Sequence, residues 1–103
     1  MNEVIYKGQR IKIQLNSKDS SNNNTGIDLS TAIVLKIKIQ INGTATAYDA
    51  TVVPDDNYSC YINYDVTSDA RHKAWIYAEI SASEKYIGIP FEFDPINEGE
   101  LPR

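Results

Sequence analysis

Between Ser30 and Tyr48 the chain reads STAIVLKIKIQINGTATAY, and its alternation leaves little choice of local structure. Ile33, Leu35, Ile37, Ile39 and Ile41 fall on one side of an extended backbone, while Lys36, Lys38 and Gln40 fall on the other. A helix would scatter these apolar side chains around its circumference. A strand collects them on one face, because successive side chains point to opposite sides. Asn42-Gly43 follows at once, and that dipeptide suits a type I′ turn, whose central residues both need φ > 0. A strand over Thr31–Ile41 that doubles back on itself is therefore expected, with one buried and one wet face.

The same period recurs along the chain. Val4–Lys7 is a short extended start broken by Gly8, and Gln9–Leu15 sets Ile11, Ile13 and Leu15 against Arg10, Lys12 and Gln14. Asn16–Gly26, NSKDSSNNNTG, offers no apolar anchor for a core and is expected as a mobile loop. Ile27 and Leu29 then re-enter the fold, with Asp28 and Ser30 turned outward to bond nearby backbone. Thr44–Val53 alternates more softly, with a bulge expected near Asp49, and Pro54–Asn57 supplies a turn. Tyr58–Tyr64 places Tyr58, Cys60, Ile62 and Tyr64 on one face and Ser59, Tyr61 and Asn63 on the other. Asp65–Lys73 holds the one candidate helical turn, capped by Thr67 or Ser68. Ala74–Ile80 sets Ile76, Ala78 and Ile80 against Trp75, Tyr77 and Glu79. Lys85–Phe93 reads as a single last strand with Ile87, Ile89, Phe91 and Phe93 inward, and Pro90 on an edge or beside a bulge.

Short strands at even spacing with turn signals between them predict an all-β fold, an antiparallel, immunoglobulin-like β-sandwich of about seven strands. At 103 residues it forms one domain, over 1–93, with 94–103 (DPINEGELPR) as an extended C-terminal tail or linker. A formal charge of −4, with the basic residues dispersed, argues against nucleic acid and anionic membranes as partners. A lone cysteine rules out an internal disulfide. Met1–Val4 lacks the basic-then-apolar pattern of a secretory signal, and no run approaches the ~18 apolar residues of a membrane span. A protein made in the cytoplasm is expected.

Catalysis requires a positioned nucleophile, base or metal. Cys60 alternates with aromatic and aliphatic residues and reads as a small core hydrophobe; His72, between Arg71 and Lys73, reads as a solvated loop residue. Asp55-Asp56 and Asp65 with Asp69 lack calcium-loop spacing and read as turn chemistry. The sequons at Asn23, Asn42 and Asn57 follow from a composition rich in Asn, Ser and Thr. No catalytic, cofactor-binding or metal site is expected. The interface candidates are aromatic: Trp75, Tyr77 and Tyr61 in the polar phase of their strands, joined by Tyr86, with Tyr48 as a further member. Three readings stay open for them: core, protein interface or sugar-stacking platform. Gln9–Leu15 and Lys85–Phe93 are expected as sheet edges that offer backbone groups to a partner.

The opening YKGQRIKIQL, the IDLSTAIV entry to the central strand with its NG turn, and the closing AWIYAEI together resemble the N-terminal domain of upper baseplate proteins of tailed phages. Gly8, Ile27–Val34 and Ala74–Ile80 carry the match in order and rough spacing; Gln9-Arg10 and Thr31 depart from the family's usual residues. The resemblance implies an Ig-like scaffold and attachment module without catalysis, oligomeric in the virion. It would dock onto tail, baseplate, fibre or head subunits. The alternative expectation is a carbohydrate-binding or adhesin module that uses an aromatic sheet face.

Overall fold

Among the described residues, 5–96, the computed structural model has eight strands. These are β1 (Arg10–Asn16), β2 (Val34–Ile41), β3 (Thr44–Asp49), β4 (Thr51–Val53), β5 (Asp56–Asp65), β6 (His72–Glu79), β7 (Lys85–Ile87) and β8 (Phe91–Phe93). One sheet has the order β1-β5-β4; the other runs β3-β2-β6-β7, with β8 on the same side of β6 as β7. All of these pairings are antiparallel. Tyr6 makes a parallel bridge to Ile96: the Lys7 N–H donates to Ile96 O at 2.9 Å, and the Ile96 N–H donates to Ile5 O at 3.0 Å. The small sheet matches strands B-E-D of the immunoglobulin plan and the large one C′-C-F-G. The expected antiparallel sandwich is present, with eight strands in place of about seven. No helix among the described residues is long and apolar enough to cross a membrane.

The core lies where the inner faces meet. Ile37 and Ile39 of β2 and Ala74, Ile76 and Ala78 of β6 pack against Ile13, Cys60, Ile62 and Tyr64 of the small sheet. Each large aliphatic side chain so buried contributes about 1.5–3 kcal/mol. The β2 hairpin follows the predicted chemistry: Asn42 and Gly43 take φ of 52° and 83°, and Ile41 faces Thr44. Upstream, however, the strand begins at Val34. A single 3₁₀ turn at Leu29–Thr31, capped by the Asp28 carboxylate on the Ser30 N–H, leaves Ile33 in the approach to the strand, 67% exposed. The softening near Asp49 is a change of sheet: Ala50 donates to Leu35 O at 3.1 Å and hands the chain from β3 to β4.

Further expectations are corrected. His72 is fully buried, where a solvated loop residue was expected. It begins β6, its ring stacks on Phe93 at 4.8 Å, Nδ1 lies 2.7 Å from Ala70 O and Nε2 3.1 Å from the Tyr64 hydroxyl. A polar ring is tolerated inside when each polar atom finds a partner. The segment before it makes no helical turn, because Val66 is buried and extends the β1–β5 ladder to Gly8 and Gln9.

Asn16–Gly26 is held by polar contacts where a mobile loop was expected. Ser17 is fully buried, donating its hydroxyl to Ile27 O and accepting from the Ile27 N–H, each at 2.9 Å. Asp19 accepts from the Ser21 N–H, the Ser21 hydroxyl, the Tyr86 hydroxyl and the Ile89 N–H. Asn22 donates its amide to Ser17 O. Side chains that bond backbone anchor this loop without burying apolar surface.

Lys85–Phe93 is two short strands, not one. Ile76 faces Gly88, whose N–H donates to Ile76 O, and Ala74 faces Phe91. Ile89-Pro90 therefore lie opposite Trp75 alone, two residues against one, which is a bulge. It accommodates Pro90 and shifts the alternation by one. Tyr86, opposite Ala78, consequently points inward, and Ile87 and Ile89, 59% and 49% exposed, look outward; Phe91, opposite Ala74, keeps the inner phase at the sheet edge and is 50% exposed. Beyond β8, Asp94 accepts two N–H groups from Arg71 at 3.0 Å, and Pro95 is buried. The expected tail is thus held on the sandwich as far as Ile96; its remainder lies outside the described residues.

Candidate functional site

The outer face of the large sheet carries the most organised set of exposed side chains. Register places Lys36 between Asp49 of β3 and Tyr77 of β6, and Lys38 between Ala47 and Trp75. Ile87 of β7 stands beside Tyr77. Trp75 and Tyr77 are half-buried in this surface. The Lys38 ammonium lies 4.2 Å from the Tyr77 ring centroid, and the Tyr77 hydroxyl donates to Glu79 at 2.8 Å. That hydrogen bond, then burial and the Glu79 charge, push the phenol above its ordinary pKa. Lys36 pairs with Asp49, and Lys73 lies 3.6 Å from Glu92. The charges are largely compensated within the face, and each exposed pair contributes about 0–1 kcal/mol.

The aromatic candidates do not share one surface. Trp75 and Tyr77 lie together on the outside of the large sheet. Tyr61 lies on the outside of the small sheet, with the Lys12 ammonium 4.4 Å from its ring centroid. Tyr48 faces inward, edge-on to Tyr64 at 5.6 Å. Tyr86 is a core residue whose hydroxyl donates to Ser17 O and Asp19; burial first, then the Asp19 hydrogen bond, push its pKa up. It is withdrawn from the interface set, because a phenol with partners inside gains more from burial than from exposure. Ile87 joins the outer face instead. Pro90 was the available signal, since the bulge it marks reverses which residues of the last segment look outward.

Burial pushes the Cys60 thiol up to about 12, and both ring nitrogens of His72 are engaged by Ala70 and Tyr64. Neither feature is that of an activated thiolate and its base. Among the described residues no three His, Cys, Asp or Glu side chains gather to hold a metal. Asp28, Asp55 and Asp56 line an open depression with Asn57 and Tyr58, and Asp56 spends its carboxylate on Ser59 and the Tyr58 N–H.

No family model, curated protein or solved structure matches the chain.

Proposed function

We propose that the chain is a non-catalytic β-sandwich attachment module that docks onto neighbouring protein subunits, and that those subunits belong to a tailed-phage virion. The observation that carries the docking role is the outer face of the large sheet. Trp75, Tyr77 and exposed Ile87 form rigid amphipathic relief there, bounded on β3 by the small side chains Ala45 and Ala47. Tyr and Trp side chains anchor protein interfaces at low entropic cost, and small neighbours let a partner approach. The virion assignment rests on the resemblance carried by Gly8, Ile27–Val34 and Ala74–Ile80, which lie at the entry to β1, the entry to β2 and along β6.

A sugar platform is the weaker reading. Stacking needs an open ring face, and Lys38 already lies over Tyr77 while Glu79 engages its hydroxyl. The test is tryptophan emission on mixing the protein with the structural proteins of the particle. Docking shifts Trp75 emission to the blue and protects it from quenchers, and Tyr77→Ala weakens that response. A chain absent from purified particles by mass spectrometry, with emission unchanged by every structural subunit, overturns the proposal. A shift caused by glycans alone transfers the face to the sugar reading.

A further inference from the structure

We infer that β3 is a pairing edge for a second copy of this chain, joined antiparallel about a two-fold axis so that the large sheets of both copies become continuous. An open sheet edge invites pairing, and folded proteins blunt it with charge, proline, bulges or short length. Three of the edges here are blunted. β1 carries Lys12 at its centre, beside an Arg10 paired with Asp65; β4 is three residues long and runs into Pro54; the β7–β8 side is interrupted at Ile89-Pro90 and begins at Lys85. β3 has none of these devices. Its run Thr44–Tyr48 is regular and uncharged, exposed up to Tyr48, and the one charge, Asp49, is neutralised by Lys36 of its own chain. Among the described residues no strand lies beyond it.

The edge is also self-complementary. In a two-residue hairpin the pair flanking the turn, Ile41 with Thr44, exchanges both backbone hydrogen bonds, and bonded pairs then alternate along the ladder. Thr44, Thr46 and Tyr48 thus spend their backbone groups on β2, while Ala45 and Ala47 present theirs to the open side. Turning a second copy by two-fold symmetry sets each Ala45 opposite the other copy's Ala47, with Thr46 facing Thr46 on the axis. The groups that need partners meet groups that need partners, methyl side chains meet methyl side chains, and no uncompensated like charges are brought together. Isologous pairing of this kind closes on itself, so the assembly stops at two. It also places both Trp75–Tyr77 faces on the same side of the joined sheet. The inference does not depend on what those faces bind.

The test is light scattering with size exclusion over a range of protein concentrations, alongside circular dichroism to confirm folding. A dimer is expected. Ala45→Lys combined with Ala47→Lys brings ammonium groups together at the seam and raises the dimer dissociation constant about tenfold or more, with the β signal retained. Thr46→Cys cross-links the dimer on mild oxidation, whereas Thr44→Cys does not. A wild-type protein that stays monomeric at the highest concentration reached overturns the inference. So does a dimer indifferent to the lysine pair, or one in which Thr46→Cys fails to cross-link. A dimer lost through Trp75→Ala but kept by the lysine pair assigns self-association to the outer face instead. The emission test with structural subunits is read separately, so either idea can fail without the other.

Discussion

Asp19 does the work that an apolar anchor does in other loops. Burial alone would raise its pKa, but donation from Ser21, Tyr86 and the Ile89 backbone outweighs that and holds the carboxyl below its ordinary 3.8. A group with a depressed folded pKa stabilises the fold fully above the unfolded value, and that stabilisation is lost as pH falls through the folded one. Asp19→Asn is therefore expected to cost about 1–2 kcal/mol at pH 7. Urea melts should show the gap from wild type narrowing below about pH 4 as the wild-type carboxyl protonates; a gap unchanged at low pH would exclude the charge as the cause. Cys60 gives a second expectation. With its thiol buried and pushed up to about 12, it should react with a thiol reagent only as fast as the protein opens. Labelling of the native state at the rate of a free thiol would contradict the placement. Of these residues, Cys60 was legible from alternation on its strand. His72 was masked by its exposed neighbours, Lys73 on the opposite face of β6 and Arg71 just before the strand; extending the Ala74–Ile80 period two residues upstream would have put His72 inside. Asp19 gave no signal, because hydrogen bonding to Tyr86 and Ile89 across the chain has no periodicity.

At the level of elements, the structure is legible in the sequence where the determinant is local. The Asn42-Gly43 turn and the faces of β1, β2 and β6 follow from neighbours one or two residues away. Gly43 has φ of 83°, and a Cβ added there would meet no atom within 4 Å. Gly43→Ala should thus cost only the strain of the left-handed conformation, about 1–2 kcal/mol, and calorimetry would read it as a lower midpoint with the same cooperative transition. A much larger loss would mean that the turn is packed against something. The last segment is not legible in this way because the bulge at Ile89-Pro90 changes the phase, so a period that fits Ile87, Ile89, Phe91 and Phe93 places Tyr86 on the wrong side. Pro90 marked the irregularity, but only the β6 register shows that it spans two residues against one. The break at Ala50 was visible as weak alternation, and its meaning, a passage between sheets, depends on pairings far along the chain.

For the whole molecule, the sandwich divides the consequences of mutation by layer. Ile37→Ala, in the fully buried layer, should cost about 2–5 kcal/mol in denaturant titration. Trp75→Ala, on the outer face, should cost clearly less while abolishing co-sedimentation with the structural subunits; a Trp75 variant that fails to fold would place that ring in the stabilising layer. The composition of the outer face could not be read from the chain, since its rows join Ala47, Lys38 and Trp75 from three strands through a register set by the core beneath. The clasp between Tyr6 and Ile96 adds a mechanical property. The two segments run in the same direction, so tension drawn outward through both ends slides one along the other. The Lys7–Ile96 and Ile96–Ile5 hydrogen bonds are then loaded together rather than peeled in turn. Single-molecule pulling through both ends should therefore show the first yield by shear at this clasp, ahead of either sheet.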